Sequence, residues 1–314
     1  MKINRRKFIE STAAAIAALS LGGIASAFKK GEMPRRVLGK TGLNISLLTV
    51  GGHTIARRGL TEQESTSIIR TAVDEGINFF DNAWCYHNGR SEEWMGKALA
   101  DGYRERIYLM TKHHGRDPET ARQHLEDSLR RLKTDVIDVW QFHEIMTLDD
   151  VKKIYSSGVL DFALKMKEEG KIRFIGFTGH ANPEVHLQMI KKGFDWDTIQ
   201  MPVNSLDYHY LSFSNQVIPV AREKNMGIIA MKTLAGGPIL RNNIATVSES
   251  LHFAMTYPVS TVCSGMDSVD ILKENIEITK NYAPMAEDKI TALLERTLAP
   301  SAGGKNEWYK REVF

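Results

Sequence analysis

What most constrains this chain is a rhythm: eight short apolar runs, rich in β-branched and aromatic residues, alternate with amphipathic stretches long enough to be helices. The runs are Leu47–Val50, Asn78–Asp81, Ile107–Thr111, Val136–Phe142, Ile172–Thr178, Thr198–Val203, Gly227–Met231 and Thr261–Ser264. Nearly continuous apolar runs of this length fit strands covered on both faces, as parallel strands between helix layers are. The helix starts are legible too. Thr61 with Glu64 forms a capping-box pattern, and Asp117-Pro118 and Asn182-Pro183 each set a capping side chain before a first-turn proline. Gly170, Gly193 and Gly227 are spaced to end helices. Eight such units over roughly 230 residues predict an α/β fold, a closed (β/α)8 TIM barrel rather than an open doubly wound sheet. No Gly-x-Gly-x-x-Gly follows the first run, which points the same way. Ahead of the barrel, Arg36–Gly39 and Leu43–Ile45, turned at Lys40-Thr41-Gly42, predict an N-terminal β-hairpin.

Residues 1–27 stand apart from this pattern. Asn4-Arg5-Arg6-Lys7-Phe8 precedes a weakly apolar run, Ala13–Leu19, and Ala25-Ser26-Ala27 supplies a small-residue exit. A basic head, a short apolar middle and such an exit predict a signal peptide, and the paired arginines before Phe8 resemble the twin-arginine type. The expectation is cleavage after Ala27 and an exported, periplasmic protein, with the twin-arginine machinery as partner. No later stretch approaches the roughly 18 uncharged apolar residues of a membrane span. The formal net charge of +3 lies wholly in Lys2, Arg5, Arg6 and Lys7 against Glu10, so the remainder is neutral. A neutral body excludes a broad nucleic-acid surface. The two cysteines, Cys85 and Cys263, form no CxxC pair, which excludes a structural zinc or iron–sulfur cluster held on cysteines. The expected organisation is a signal over 1–27, the barrel over 34–295 and a C-terminal tail over 296–314.

In a barrel of this kind the chemistry is built where the strands end. There the sequence sets Asp81 followed by Asn82-Ala83-Trp84-Cys85-Tyr86, then Lys112 with His113 and His114, then His143-Glu144. Further on come Thr178-Gly179-His180, Gln200 and Asn204, Lys232, and Ser264-Gly265. Groups of this polarity are costly to bury unless they are paired. Four of them make an acid–base set. A tyrosine, with a usual pKa near 10, gives up a proton near neutral pH when an ammonium beside it favours the phenolate. A carboxylate keeps that ammonium charged, and a histidine can hydrogen-bond and orient a carbonyl. Tyr86, Lys112, Asp81 and His143 fill these roles in that order. Trp84, with His113 near it, is the candidate substrate wall.

This set resembles the aldo-keto reductase family. The resemblance lies in Asp81-Asn-Ala-Trp-Cys-Tyr86, Gly89-Arg-Ser-Glu92 with Gly96, Thr111-Lys112, Gln141-Phe-His143, Gly265 and Leu272-Lys-Glu274-Asn275, together with the opening Arg36-Val-Leu-Gly39-Lys-Thr-Gly-Leu43. It implies a nicotinamide-dependent oxidoreductase in which hydride passes to a carbonyl carbon while Tyr86 protonates the oxygen. Carried over position by position, Thr178 and Gln200 match the clamp on the nicotinamide carboxamide. Gly179 replaces the family's asparagine, so that contact is lost or moves to His180. Met231 falls where many members stack an aromatic ring. Lys232, Leu234 and Gly236 fit the loop that meets the pyrophosphate, while Ser264, Gly265 and Met266 line the adenosine end and Glu274 and Asn275 match adenine contacts. Many members carry a lysine at the place of Gly265 and an arginine at that of Ile271. Neither is present, and Asp267 nearby suits a ribose hydroxyl. The family default is NADP(H), and NAD(H) competes with it. No metal is expected. The same residues leave two alternatives open: a nucleotide-binding regulatory barrel with slow turnover, and a metal-dependent barrel isomerase or hydrolase. The latter would gather His87, His113, His114, His143, His180 and His209 with Asp81 and Glu144.

Overall fold

A computed structural model describes residues 29–312. The expected signal over 1–27 lies outside the described residues. Eight parallel strands close into a barrel: β3 (Leu48–Gly51), β4 (Phe79–Asp81), β5 (Tyr108–His113), β6 (Ile137–Phe142), β7 (Ile172–Thr178), β8 (Thr198–Pro202), β9 (Gly227–Met231) and β10 (Thr261–Ser264). β10 pairs back onto β3, with Ser264 beside Val50, and this seals the cylinder. The preceding hairpin, β1 (Arg35–Val37) and β2 (Asn44–Ser46), is antiparallel. Among the described residues no helix is long and apolar enough to cross a membrane.

Strand alternation decides what faces the lumen. Phe79, Met110, Val139 and Ile229 meet one another there and pack on Leu38, Leu43 and Ile45 of the hairpin, which plugs the amino end of the barrel. A polar layer sits above them, where Gln141 Nε2 donates to Thr198 Oγ1 at 3.2 Å and Thr49 and Thr261 share a 2.6 Å hydrogen bond. The intervening side chains, such as Leu109, Trp140, Phe142 and Phe177, turn outward into the helix-covered core.

The helix signals act as their chemistry requires. Thr61 and Glu64 form the full capping box of Glu62–Asp74, Asp117 caps Pro118–Leu132 and Asn182 caps Pro183–Lys191. Gly170 and Gly193 follow helix ends at φ of 73° and 90°, a region open to glycine without strain. Gly227 does not end a helix; it opens β9. Asn225, at φ 50°, makes the left-handed exit instead. Gly227 is held small by the plug, because a Cβ there would sit 2.5 Å from Leu38 Cδ1. After the helix Glu287–Leu298 the tail folds back across the carboxyl end of the barrel. Lys310 pairs with Asp207 at 2.7 Å and with Glu307 at 2.9 Å, all three buried, and the Arg311 amide donates to the Ala181 carbonyl.

Candidate active site

At the carboxyl end, alternation brings Asp81, Lys112, His143 and Cys263 inward from four different strands. Lys112 Nζ lies 3.2 Å from Tyr86 Oη and donates to the Asn82 carbonyl at 2.7 Å. It is also ion-paired with Asp81, and its side chain is 1% exposed. Cys263 Sγ donates to the other Asp81 oxygen at 3.4 Å, so the carboxylate is held between a cation and a thiol. Tyr86 meets the rings of His53 and His143 edge-on, with centroids 5.2 and 5.7 Å away. Gly52 lets β3 approach this closely, since a Cβ there would lie 2.4 Å from the Asp81 carbonyl oxygen.

Each charge state has a physical cause. Burial alone would strip Lys112 of its proton, but Asp81, and then Tyr86, raise it above its usual value. Burial also dominates Tyr86 and drives its phenol upward, with Lys112 pulling the other way. The lowered phenol expected from the sequence is therefore not the net result: desolvation of the phenolate outweighs the ammonium. Tyr86 rests as a neutral acid beside a cation that is ready to stabilise the anion it leaves. His143 is held well below its usual pKa by burial and then by Lys112, so its imidazole is neutral.

Two predicted wall residues point elsewhere. His113 follows Lys112 on β5 and so faces the opposite side; it is fully buried and stacked on Trp140 at 3.8 Å, in the core and away from the mouth. Trp84 turns to the helix Pro118–Leu132, where it stacks on His124 at 3.6 Å and donates to Asp127 at 3.1 Å. The six histidines of the metal alternative do not assemble as a set: only His114 and His143 lie together, with ring centroids 4.7 Å apart. His209 is tied to the Leu294 carbonyl at 3.0 Å and His87 to the His53 carbonyl at 2.7 Å. His180 stands edge-on to Tyr309, with its pKa lowered to about 4 by burial and by Lys232.

The predicted cofactor positions form a track along the same rim. Thr178 and Gln200 are adjacent on β7 and β8, and the buried Gln200 Oε1 has no hydrogen-bond partner among the described residues. Asn275, buried on the helix Val269–Lys280, donates from Nδ2 to Ser264 Oγ at 3.0 Å while its Oδ1 is likewise unpartnered among those residues. Such orphan acceptors each cost about 1–3 kcal/mol unless something donates to them. A carboxamide at Gln200 and an amino-bearing base at Asn275 have the donors required, so the residues fit a nicotinamide dinucleotide. Glu274 lies exposed beside Asn275. The stretch from Lys232 to Gly237 turns left-handed at Lys232, Ala235, Gly236 and Gly237, with φ of 55°, 52°, 71° and 114°. Leu234 is half-buried in this loop and Met231 ends the strand before it. Met266 does not line the adenosine end; its side chain is fully buried among Leu48, Val50 and Leu272, and its amide donates to Thr54 Oγ1 at 3.0 Å.

The two departures at glycine have steric causes. At Gly179 a Cβ would sit 2.4 Å from the Ile145 carbonyl oxygen, which bars an asparagine. At Gly265 it would sit 2.7 Å from Thr54 Cγ2, which crowds out a lysine. Sequence reasoning missed His53, Cys263 and Arg57, the last ion-paired with Asp267. His53 follows Gly51-Gly52 at the end of the first strand, so inspecting that strand end like the others finds it.

Comparison with known proteins agrees with this geometry. The profile of the Aldo/keto reductase family matches residues 47–250. An oxidoreductase of Bacillus subtilis, YqkF, is 26% identical over 312 residues, covering 84% of this chain and 97% of its own. L-galactose dehydrogenase of Arabidopsis thaliana is 29% identical over 304 residues, covering 82% of this chain and 91% of its own. The holo form of an aldo-keto reductase from Bacillus halodurans superposes with a TM-score of 0.74 at 24% identity, over 88% of this chain and all of that one, and so shares its fold. With a closed (β/α)8 barrel, an acid–base cluster at its mouth and a rim that fits a nicotinamide dinucleotide, the chain belongs to the aldo/keto reductase family of NAD(P)-dependent oxidoreductases.

Proposed function

We propose that Tyr86 is the proton donor of a carbonyl reduction, with Lys112, Asp81 and His143 as its supporting groups. The observation that carries this is the 3.2 Å approach of Lys112 Nζ to Tyr86 Oη at the barrel mouth. Bound nicotinamide supplies the hydride to the carbonyl carbon. Tyr86 gives its proton to the carbonyl oxygen as negative charge grows there. Lys112 lies beside the phenolate so formed, and Asp81 keeps Lys112 protonated throughout. Neutral His143, beside Tyr86, donates a hydrogen bond that fixes the carbonyl's orientation. In the reverse direction the same phenolate accepts the alcohol proton. The substrate is a small aldehyde, ketone or alcohol.

Tyr86→Phe removes the acid and leaves the packing. Carbonyl reduction should fall by roughly 10²–10⁴-fold, the usual worth of a positioned acid, while cofactor binding, followed by quenching of protein fluorescence, stays as in the wild type. Full turnover in Tyr86→Phe would refute the role.

For the cofactor we propose NADP(H), the family default, with NAD(H) competing. What supports NADP(H) locally is the exposed guanidinium of Arg57, which pairs with Asp267 and offsets its charge, while glycine at 265 in place of the family's lysine favours NAD(H). We also propose that residues 1–27 direct export by the twin-arginine route. Intact mass of periplasmic protein, showing loss of residues 1–27, tests it.

A further inference from the structure

Beside the proton-donor cluster lies a second constellation, which shares His143 with the reduction but adds Cys85 and His114, two groups that the reduction does not use. Cys85 Sγ, a ring nitrogen of His114 and one of His143 all lie within 4.8 Å of one another. We propose that Cys85, His114 and His143 form a binding site for a zinc-class divalent cation at the mouth of the barrel, with Glu144 as the outer carboxylate that orients His114.

The spacing is that of a metal edge. Tetrahedral zinc, with a sulfur at about 2.3 Å and nitrogens at about 2.0–2.1 Å, sets sulfur and nitrogen about 3.6 Å apart. Cys85 Sγ and His143 Nδ1 are 3.6 Å apart. His114 Nε2 meets Glu144 Oε2 at 3.0 Å, which leaves its Nδ1 for an ion and reproduces the carboxylate–histidine pairing common around metals. Glu144 makes this contact from a left-handed backbone, φ 51°, a conformation unusual for a residue with a side chain and one that persists where its surroundings enforce it. The two imidazoles lie with centroids 4.7 Å apart, tilted by 38°.

The surroundings permit a cation. Cys85 and His114 are half-exposed, which gives an ion and a water access, while His143 is buried behind them. Of the neighbouring positive charges, Lys112 is matched by Asp81 and Arg116 by Asp150 at 3.0 Å, while Lys232, on the far side of Glu144, sits over the rings of Trp308 and Tyr309. On binding, the Cys85 thiol releases its proton to solvent and coordinates as thiolate, and His114, which Cys85 and Glu144 hold protonated in the empty site, releases one ring proton as well, so Cys85 and Glu144 together offset the ion's charge. Two nitrogens and one sulfur leave the fourth position open to water.

The test is a cobalt(II) titration of the full chain, purified without a histidine tag and stripped with EDTA. The expected result is one equivalent bound, with tetrahedral visible bands and a near-ultraviolet sulfur-to-cobalt band, both displaced by zinc. Cys85→Ser should lose the sulfur band. His114→Ala should bind at least tenfold more weakly, and Glu144→Gln should weaken binding roughly 10–100-fold through the outer shell. Melting curves of each variant check that the barrel is intact. Absence of the sulfur band in the wild type, or its persistence in Cys85→Ser, overturns the site. Unchanged affinity in His114→Ala does the same, and unchanged affinity in Glu144→Gln overturns the part given to Glu144. None of these readouts requires turnover, so the metal site and the reductase roles fail separately.

Discussion

Removing Lys112 should cost more stability than removing both Lys112 and its partner. The Asp81 side chain is 4% exposed and that of Lys112 is 1% exposed, so neither charge is shared with bulk water. In Lys112→Met the Asp81 carboxylate keeps only the Cys263 thiol, at 3.4 Å. Stranding one member of a buried pair costs about 3–5 kcal/mol, a large part of the 5–15 kcal/mol by which a protein is stable. For a chain of this size that corresponds to a fall of roughly 6–15 °C in Tm. In Lys112→Met/Asp81→Asn no uncompensated charge is left, and at least half of the loss should return. The cycle is read by urea unfolding at pH 7 on wild type, Lys112→Met, Asp81→Asn and the double variant. The reasoning is refuted if the losses of the single variants simply add in the double, or if Lys112→Met lies within about 1 kcal/mol of wild type, the range of an exposed pair.

Gly179→Asn, the family's usual residue, should not restore a cofactor contact; with a Cβ 2.4 Å from the Ile145 carbonyl oxygen it should destabilise the barrel by at least about 2 kcal/mol in thermal unfolding. Asp267→Asn frees Arg57 from its ion pair and should raise the NADP(H)-to-NAD(H) ratio of kcat/KM by roughly tenfold, equivalent to about 1.4 kcal/mol; an unchanged ratio shows that this loop does not read the 2′ position. Acid should also unfold the wild type early. His113, His124, His143 and His186 are buried, and burial holds each below its usual pKa, His124 at about 4 and His186 at about 3. A histidine with a lowered folded-state pKa contributes stability that is present above the unfolded value near 6.5 and lost as pH falls toward the folded one. Each can cost up to about 1.4 kcal/mol per pH unit in that window, so a Tm that stays flat from pH 7 to pH 5 would contradict it.

What the sequence made legible, and what it hid, divides along the pleat of the strands. The barrel could be read because each of its parts is local: an apolar run, a capping side chain, a glycine at a helix exit. The acid–base cluster could be read because Asp81, Lys112 and His143 fall at lumen-facing positions, where alternation leaves them no other direction to point. The same alternation removes His113 from the mouth, since a residue adjacent to an inward lysine must face outward, where Trp140 stacks on it. Applied one residue at a time rather than strand by strand, that rule separates His113 from Lys112 without any coordinates. Other features depend on what arrives from distant chain. Cys263 reaches Asp81 across 182 positions, Thr54 takes the space that a side chain at Gly265 would need, and the Met266 side chain sinks into the core among Leu48, Val50 and Leu272. The net rise of the Tyr86 phenol belongs with them: charge pairing alone points downward, and only the depth of burial fixes the sign. Stating the acid–base roles therefore needs the residue types, while stating the resting proton on Tyr86 needs the fold that dries it.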